Sequence, residues 1–371
     1  MNANARTAAR NFARRFADLI DPALVTTLGA LMLVGLVTLY SAASDQPGHF
    51  TGQLRNFAFA GALMLGTAAI PPRLLLRAAI PVYAVGLLAL LAVLVAGVSV
   101  NGARRWLDLG FTRFQPAEIM KLGVPLVLAW YFQKRAEGLR TADFVVAFAL
   151  VLAPVGLIAR QPDLGTALLV LAAGFYVIFF AGLPWRWLAA MTAVTLAALP
   201  IGWMFLHDYQ RNRILTLLNP SSDPLGKGFH TLQSMIAIGS GGVFGKGWMQ
   251  GTQAHLEFIP ERTTDFIFAV YSEEFGLIGN LVLLALFSML VARALSIAQH
   301  AATPFGRLLA GSIAMILFTY AFVNMGMVSG ILPVVGVPLP LISYGGTSLV
   351  TICLSFGILM SIQTHRKLVQ T

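Results

Sequence analysis

The sequence has 371 residues, of which 57% are hydrophobic and only 11% are charged, and its formal net charge is +10. A soluble domain carries about 25% charged residues, so this composition excludes an ordinary soluble globule. Apolar stretches of near twenty residues, rich in Leu, Ala, Val and Gly, recur without strict alternation, which favours membrane-spanning helices over a barrel. The single cysteine, Cys353, excludes an intramolecular disulfide.

These stretches predict an all-α integral membrane protein with about ten transmembrane helices. In chain order the predicted spans are 23–43, 53–71, 78–98, 115–133, 142–159, 164–182, 187–206, 272–294, 306–329 and 344–364. They leave an N-terminal tail at 1–22 and a large loop at 207–271, between helices 7 and 8. Loops of that length are typically functional or disordered, and the aromatic and apolar residues here favour an ordered loop. We expect residues 1–371 to form a single polytopic domain.

The distribution of Lys and Arg over the short loops predicts the orientation. One side of the membrane holds fourteen of these residues and the short loops on the other side hold five. We therefore expect the first side, which includes both termini, to be cytoplasmic. The basic excess is then a topology signal with membrane lipid as its partner, and nucleic acid is not expected.

Two ionisable residues lie inside the fourth predicted span. Glu118 and Lys121 are three residues apart and share one helical face. Ionisable groups inside a membrane are costly and usually face the protein interior or a wet cavity. They are either a structural ion pair that locks helix packing or a polar site within the bundle. Asp163 directly precedes the sixth span, where it can cap that helix or belong to such a site.

Several arginines on the extracytoplasmic side run against the positive-inside trend. Arg104, Arg105 and Arg113 lie between the third and fourth spans, and Arg211 and Arg213 begin the large loop. Guanidinium groups bind carboxylate and phosphate in a bidentate manner. An anionic partner such as a phosphate is therefore expected on this side.

A Gly-rich stretch in the large loop, Gly239–Gly247, has only a superficial likeness to a phosphate-binding loop. Ser240 replaces the first Gly of the motif G-x-x-x-x-G-K-[ST], and Gly247 replaces its final Ser or Thr. We predict a flexible turn there.

The most charged part of the large loop contains Glu257, Glu261 and Asp265, just ahead of an apolar run. Asp265 suits two roles equally: a helix cap, or a carboxylate with a raised pKa that accepts a proton at the membrane surface. Ser343 and Thr347 stand at the entrance of the last span. Small side chains and free backbone N–H groups at that position are typical of a helix start, and they can also contact a substrate.

Six motifs are spread along the chain: Gln115–Lys121, Gln161–Ala167, Leu217–Gly226, Gly251–Gln253, Glu257–Phe268 and Leu341–Thr347. Together, and in this order, they resemble the SEDS family (shape, elongation, division and sporulation). Trp106–Gly110, with the third and fourth of these motifs, resembles the elongation branch rather than the division branch. One residue departs from the family: Thr264 stands where a His usually precedes the aspartate.

The resemblance implies a peptidoglycan glycosyltransferase that polymerises lipid II into glycan strands during cell elongation and maintenance of rod shape. It implies a place in the inner (cytoplasmic) membrane, with the active site on the extracytoplasmic face. It also implies a class B penicillin-binding protein, a transpeptidase, as partner, beside other proteins of the elongation complex. Asp265 matches the family's catalytic aspartate, the general base for the acceptor sugar hydroxyl. An α-linked donor and a β-linked product make the transfer inverting, so one base suffices.

The remaining site residues follow from the needs of this reaction. We expect substrate contacts, including those to the leaving diphosphate, from Arg104, Arg105, Arg211, Arg213, Glu261, Ser343 and Thr347. No tightly bound cofactor is expected, while a divalent cation such as Mg²⁺ or Mn²⁺ could assist the diphosphate. Two alternatives remain: a lipid II flippase or transporter, which polar residues in a ten-helix bundle would also suit, and a non-catalytic scaffold of the elongation complex.

Overall fold

The computed structural model of the protein describes residues 19–100, 103–108, 110, 113–136, 138–205, 211, 215, 227–255 and 261–367. One long helix corresponds to each of the ten predicted spans, so the predicted all-α membrane architecture is confirmed. The long helices are α1 (Pro22–Ala42), α2 (Pro47–Ala68), α3 (Pro72–Ala96), α4 (Pro116–Lys134), α5 (Thr141–Arg160), α6 (Leu164–Phe180), α7 (Trp185–Phe205), α10 (Ile267–Gln299), α11 (Pro304–Val328) and α12 (Thr347–Lys367). Two short helices, α8 (Lys227–Ser240) and α9 (Thr252–His255), lie between α7 and α10. Six of the long helices, α1, α3, α5, α10, α11 and α12, are long and apolar enough on their own to cross a membrane.

Local sequence signals start these helices where the structure has them. Proline occupies the first turn of α1, α2, α3, α4 and α11, where its missing N–H costs nothing. Asp21 caps α1 by accepting from the Leu24 amide at 2.9 Å. Thr303 caps α11 by accepting from the Gly306 amide at 3.1 Å. Both caps satisfy backbone donors that a helix cannot pair internally.

A small antiparallel sheet replaces the loop predicted between α3 and α4. Its strands are β1 (Val98–Val100), β2 (Ala103–Asp108) and β3 (Arg113–Phe114), in the order β1-β2-β3. Arg104 and Arg105 are consecutive on β2. Because successive side chains of a strand point to opposite faces, these two arginines cannot act on one ligand from the same face of the sheet.

The helix α10 begins at Ile267, so the last five residues of the predicted loop 207–271 are helical. The predicted span began at Ser272 and left the apolar residues 267–271 in the loop. Ser272, Glu273 and Glu274, which lie inside the helix, are at most 1% exposed, and buried polar groups with protein partners do not end a helix. Asp265 therefore lies at the very entrance of α10.

The helix α10 is broken at Gly276, and the Gly-rich turn fills the break. Gly276 has φ +63°, and a Cβ there would lie 2.3 Å from a backbone nitrogen of the turn. The Leu277 amide donates to the Gly242 carbonyl at 2.9 Å, and the Lys246 amide donates to the Glu273 carbonyl at 3.0 Å. The turn replaces the lost helical hydrogen bonds, so the prediction of a flexible turn was wrong: this segment is anchored along its length.

The connections of alternate helices lie at one end of the bundle, which we call the loop end. Because successive membrane-crossing helices run in opposite directions, the connections α1–α2, α3–α4, α5–α6, α7–α10 and α11–α12 share this end. Among the described residues, these connections and the helix turns next to them hold the predicted site residues. Helix α4 occupies the centre of the bundle, with thirteen of its nineteen residues buried. Its first two turns carry Glu118 and Lys121 near the loop end.

Candidate functional site

A tight turn at 261–266, which we call the Asp265 turn, leads directly into α10. The Glu261 carbonyl accepts from the amides of Thr264 at 3.0 Å and Phe266 at 3.2 Å. Glu261 itself has φ +53°, an uncommon conformation for a residue other than glycine. Backbone strain of this kind persists only where the surrounding structure holds it, and it concentrates at functional sites.

The carboxyl group of Asp265 is partly buried beside a second carboxylate. Burial, and then the charge of Glu261, raise the pKa of Asp265 to about 6. Thr264, at the position where the family usually has His, donates from its hydroxyl to Glu261 Oε2 at 2.7 Å. A carboxylate with a pKa near 6 is ionised at neutral pH and still basic enough to accept a proton. The site can therefore act as a general base.

The basic residue of the turn is engaged on the opposite side. Arg262 donates from Nε to the Ala42 carbonyl at 2.8 Å and from its terminal nitrogen to Asp45 Oδ1 at 2.5 Å. Burial alone would raise the pKa of Asp45, but the hydrogen bond from Arg262 and its charge hold that pKa below its usual range. Arg262 thus fastens the turn to the α1–α2 connection.

The α11–α12 connection, residues 329–346, lies against the other face of the Asp265 turn. The Ser343 hydroxyl donates to the Thr264 carbonyl at 2.6 Å and accepts from the Leu339 amide at 2.8 Å. Gln53 of α2 donates to the Ser343 carbonyl at 3.2 Å. The Ser343 side chain, 6% exposed, is therefore placed to hold the turn, and a direct contact with substrate stays a prediction.

A cavity of about 620 Å³ opens between α2, α3, α4 and α12. Asn56, Glu118 and Thr347 supply polar groups, and the rest of the lining is largely apolar, including Leu122, Val350 and Ile358. Ser343 and Thr347 are four positions apart in the chain, a length that spans at most about 14 Å. The cavity therefore lies close to the Asp265 turn.

Glu118 and Lys121 form the buried ion pair that their spacing predicts. Lys121 Nζ lies 2.5 Å from Glu118 Oε1, and the two residues are 6% and 7% exposed. The ammonium also lies 5.2 Å from the ring centroid of Tyr320 on α11. Glu118 Oε2 is buried and makes no hydrogen bond within the described chain. The pair joins α4 to α11 and also forms part of the cavity wall.

Arg105 and Asp163 meet at the start of α6. Asp163 caps α6 by accepting from the Thr166 amide at 3.1 Å, and its other oxygen accepts from Gln115 Nε2 at 3.0 Å. Arg105 lies 3.8 Å from that second oxygen and donates to the Pro162 carbonyl at 3.3 Å. Its Nε is buried and has no partner among the residues that the structure describes, but the side chain as a whole is 35% exposed, so Arg105 remains accessible to a ligand. Arg104 is exposed on β2.

The chain matches one family model over almost its whole length. The family is described as cell cycle protein, covers FtsW, RodA and SpoVE, and matches residues 18–368. The chain belongs to this family. It is similar to the peptidoglycan glycosyltransferase MrdB of Escherichia coli (strain K12), with 49% identity over 94% of this chain and 95% of the relative. It is also similar to a probable peptidoglycan glycosyltransferase FtsW of Geobacter metallireducens, with 38% identity over 91% of this chain and 93% of the relative.

Solved structures of this family share the fold. The chain is similar to one in a structure described as the structural coordination of polymerization and crosslinking by a peptidoglycan synthase complex. That match has TM-score 0.81 and 38% identity, and covers 93% of this chain and 98% of the other. RodA of Thermus thermophilus matches with TM-score 0.71 and 33% identity, over 93% of this chain and 97% of the other. The protein is therefore a multi-pass membrane protein of the SEDS family, and it resembles the RodA branch.

Within this family fold, the other predicted arginines are placed less completely. Arg211 is partly buried and donates to the Met204 carbonyl at 2.8 Å, near the end of α7. Arg213 and Glu257 lie outside the described residues, so their predicted roles stay predictions. No group of three or more His, Cys, Asp or Glu side chains within the described ranges could hold a metal ion.

Sequence reasoning missed two buried residues that organise the site. Glu273 accepts from Lys246 Nζ at 2.7 Å and from the Thr252 and Gln253 amides at 2.9 and 3.1 Å. It thereby fixes the start of α9 against α10. Asn324 of α11 donates to the Asp265 carbonyl at 2.9 Å. The available signal was a polar residue inside an apolar span, where such groups are costly and usually functional.

Proposed function

We propose that the chain polymerises lipid II in the elongation branch of this family, with Asp265 as the general base of an inverting transfer. The chain is a peptidoglycan glycosyltransferase, the activity that the relative from Escherichia coli bears by name. The observation that supports the role of Asp265 is its carboxylate, whose pKa is raised to about 6 by burial and by Glu261 at the entrance of α10. A base needs this combination of ionisation and basicity at neutral pH.

The proposed step transfers one proton and exchanges one C–O bond for another. The Asp265 carboxylate takes the proton of the acceptor 4-hydroxyl on N-acetylglucosamine, and that oxygen bonds to the anomeric carbon of the donor. The bond from this carbon to the diphosphate oxygen breaks on the opposite face, which inverts the configuration. The diphosphate leaves with the bonding electron pair and with its polyprenyl chain. No covalent sugar–enzyme intermediate is required.

The leaving diphosphate gains negative charge in this step, and arginines at the loop end are proposed to stabilise it. Arg105 supports this role most directly because its side chain is 35% exposed and is held beside Asp163 at the loop end. Arg104, Arg211 and Arg213 are proposed as further contacts. The anchored Asp265 turn would hold the base at a fixed distance from the diphosphate on which negative charge develops.

A divalent cation, Mg²⁺ or Mn²⁺, is proposed to arrive with the substrate. Mg²⁺ usually keeps several waters and binds through one or two carboxylates together with substrate phosphates. The exposed carboxylate of Glu261 fits that requirement. Once bound, the cation would supply charge neutralisation to the diphosphate.

The 620 Å³ cavity is proposed to hold the first part of the polyprenyl chain. Its apolar lining suits a hydrocarbon, and its polar end at Asn56, Glu118 and Thr347 suits a headgroup. The route from Thr347 to Ser343 brings that polar end towards the Asp265 turn.

Membrane placement and partners complete the proposal. We propose one polytopic domain in the inner membrane, both termini cytoplasmic, and the loop end extracytoplasmic, where lipid II is polymerised. A class B penicillin-binding protein is proposed as the transpeptidase partner, since a similar chain belongs to a complex described as coordinating polymerization and crosslinking. A reporter fused at Thr371 should read cytoplasmic and one inserted near Ser222 should read extracytoplasmic. The reverse pattern would contradict the placement.

Lipid II given to the purified protein in detergent tests the function. A glycosyltransferase produces glycan strands, whereas a flippase acts only across a sealed bilayer and a scaffold does neither. The partner transpeptidase should be tested in the same reaction, because activity could depend on it. Lack of any polymer with and without the partner, from folded protein, would reject the enzymatic proposal.

A further inference from the structure

Three consecutive carbonyls of the Asp265 turn are held by groups from α11 and the 329–346 connection. The Tyr344 amide donates to the Thr263 carbonyl at 2.8 Å. The Ser343 hydroxyl donates to the Thr264 carbonyl at 2.6 Å, and Asn324 Nδ2 donates to the Asp265 carbonyl at 2.9 Å. The backbone that carries the proposed base is therefore fixed residue by residue from a part of the chain about sixty to eighty positions away.

Asn324 differs from the other two donors because it holds two segments at once, the Asp265 turn and the 329–346 connection. Its Nδ2 donates to Asp265 and also to the Val337 carbonyl at 2.7 Å, and the residue is 0% exposed. A flipped amide would direct its oxygen at two carbonyl oxygens, so chemistry fixes the orientation. Oδ1 makes no hydrogen bond within the described chain. Among the described residues, the hydrogen bonds of this side chain are thus its donations to these two carbonyls.

The segment that Asn324 holds also lies against the reacting group. Gly336, next to Val337, has φ +73°, and a Cβ on it would lie 3.2 Å from Asp265 Oδ2. Any other residue would be strained at that φ and would crowd the carboxylate. One amide therefore sets the backbone of Asp265 and also the loop that covers the carboxylate.

We infer that Asn324 is a positioning residue for the catalytic carboxylate: by bridging the backbones of Asp265 and Val337, it fixes where the carboxylate stands and how far water reaches it. The inference rests on the proposed role of Asp265 as the base. A displacement of about 1 Å in a reacting group can cost about 10²-fold in rate. Loss of a single buried amide that holds Asp265 in place can therefore lower the rate substantially.

Asn324→Leu is the first test, because Leu has a similar volume and no donor. We expect kcat with lipid II to fall about 10²-fold, with KM little changed, since Asn324 does not contact substrate. Asn324→Gln keeps both donors on a longer arm and should recover part of the lost rate. Ser312→Ala is the matched control: Ser312 is also 0% exposed on α11 and donates to the Ala173 carbonyl at 2.8 Å. It should lose stability and retain near-native kcat.

The pH dependence of kcat separates positioning from general destabilisation. Loosening the turn admits water to the carboxylate and weakens the burial that raises its pKa, so the rising limb should move to lower pH. Glu261 and Arg262 on the turn, Asp45 paired with Arg262, and His230 beside Phe266 face this region. They are unchanged among the variants, and α11 and the connection contribute the neutral Asn324 and Ser343. Partial unfolding would lower the amplitude and leave the midpoint in place.

The outcomes are distinct. Native kcat in folded Asn324→Leu, or a loss in Asn324→Leu and Asn324→Gln that matches the folded fraction with an unchanged midpoint, would overturn the inference. If Asn324→Leu does not fold, Asn324→Gln alone decides through its midpoint. An active Asp265→Asn protein would instead reject the base itself. If Asp265→Asn is inactive and the Asn324 variants have native activity, only the positioning role of Asn324 is rejected.

Discussion

Two acidic groups near the loop end, the buried Glu118 and the partly buried Asp265, have charged neighbours of opposite sign. Glu118 faces the Lys121 ammonium at 2.5 Å, so its charge is neutralised where it stands. The charged neighbour that acts on Asp265 is another carboxylate, Glu261, which together with burial raises the pKa of Asp265. The nearby cation Arg262 is occupied by Asp45 and the Ala42 carbonyl.

This difference separates a group that supports the fold from one that is available for chemistry. A buried charge that is paired with an opposite charge supports the fold only while both partners are present. A carboxylate raised in pKa by burial and a like charge is poised to exchange a proton. Position in the sequence does not distinguish them, because both acids lie at the start of a helix. The partner that the fold brings to each one does.

The largest expected effect is on the uncompensated acid. Asp265→Asn keeps the shape of the side chain and caps helices nearly as well, but cannot accept the acceptor proton. We expect the rate of glycan synthesis to fall about 10²–10⁴-fold with insertion and partner binding retained. Turnover of lipid II in detergent measures the loss of activity, and the melting temperature shows whether the variant is still folded. Near-native polymerisation by this variant would falsify the assignment and direct attention to Glu261 and Glu257.

The next effect is on the compensated pair, and it should appear in stability. Glu118→Gln or Lys121→Met leaves one buried charge without its partner, which typically costs about 3–5 kcal/mol. Thermal unfolding in detergent should show this loss, and the double variant Glu118→Gln with Lys121→Met should recover much of it. Single variants that remain fully stable but lose activity would instead indicate that Glu118 and Lys121 take part in catalysis.

A smaller effect is expected at the arginine whose Nε is free of partners in the described chain. Arg105→Ala should reduce kcat/KM for lipid II about tenfold, since a hydrogen bond to a charged group contributes about 1.5 kcal/mol or more. Arg105→Lys keeps the charge without the guanidinium geometry and should fall between Ala and the native protein. Arg104→Ala, on the opposite face of β2, should lower kcat/KM less than Arg105→Ala, because Arg104 is exposed. A native rate for Arg105→Ala would remove it from the site.

The smallest effect is a shift in pH dependence. Glu261 raises the pKa of Asp265, so Glu261→Gln should lower it. Since the base works when ionised, the rising limb of kcat/KM against pH should move to lower pH. At neutral pH, above the midpoint, this electrostatic change by itself leaves the rate nearly unchanged, so a larger loss there measures the proposed contribution of Glu261 to cation or substrate binding. A shift to higher pH would contradict the proposed electrostatics, and a large loss at neutral pH would support Glu261 as a ligand of substrate or cation.

The sequence by itself determined the membrane architecture and the identity of the candidate base. Hydropathy places ten spans because lipid requires about twenty apolar residues per helix, and each corresponds to a helix in the structure. The spacing of Glu118 and Lys121 determined their pairing, since residues three apart share a helix face. The order of motifs determined the family.

Tertiary structure decided which residues serve the site. Asn324 and Gly336 are more than fifty residues from Asp265 in the chain. Only tertiary packing brings the Asn324 amide to the Asp265 carbonyl and places Gly336, which has no side chain, next to the Asp265 carboxylate. Likewise, the Gly-rich turn is anchored because the break at Gly276 exposes backbone groups with which the turn forms hydrogen bonds. Hydrogen bonds between distant segments depend on distances of a few tenths of an ångström. Local periodicity carries no information on such distances, so these contacts could not be read from the sequence.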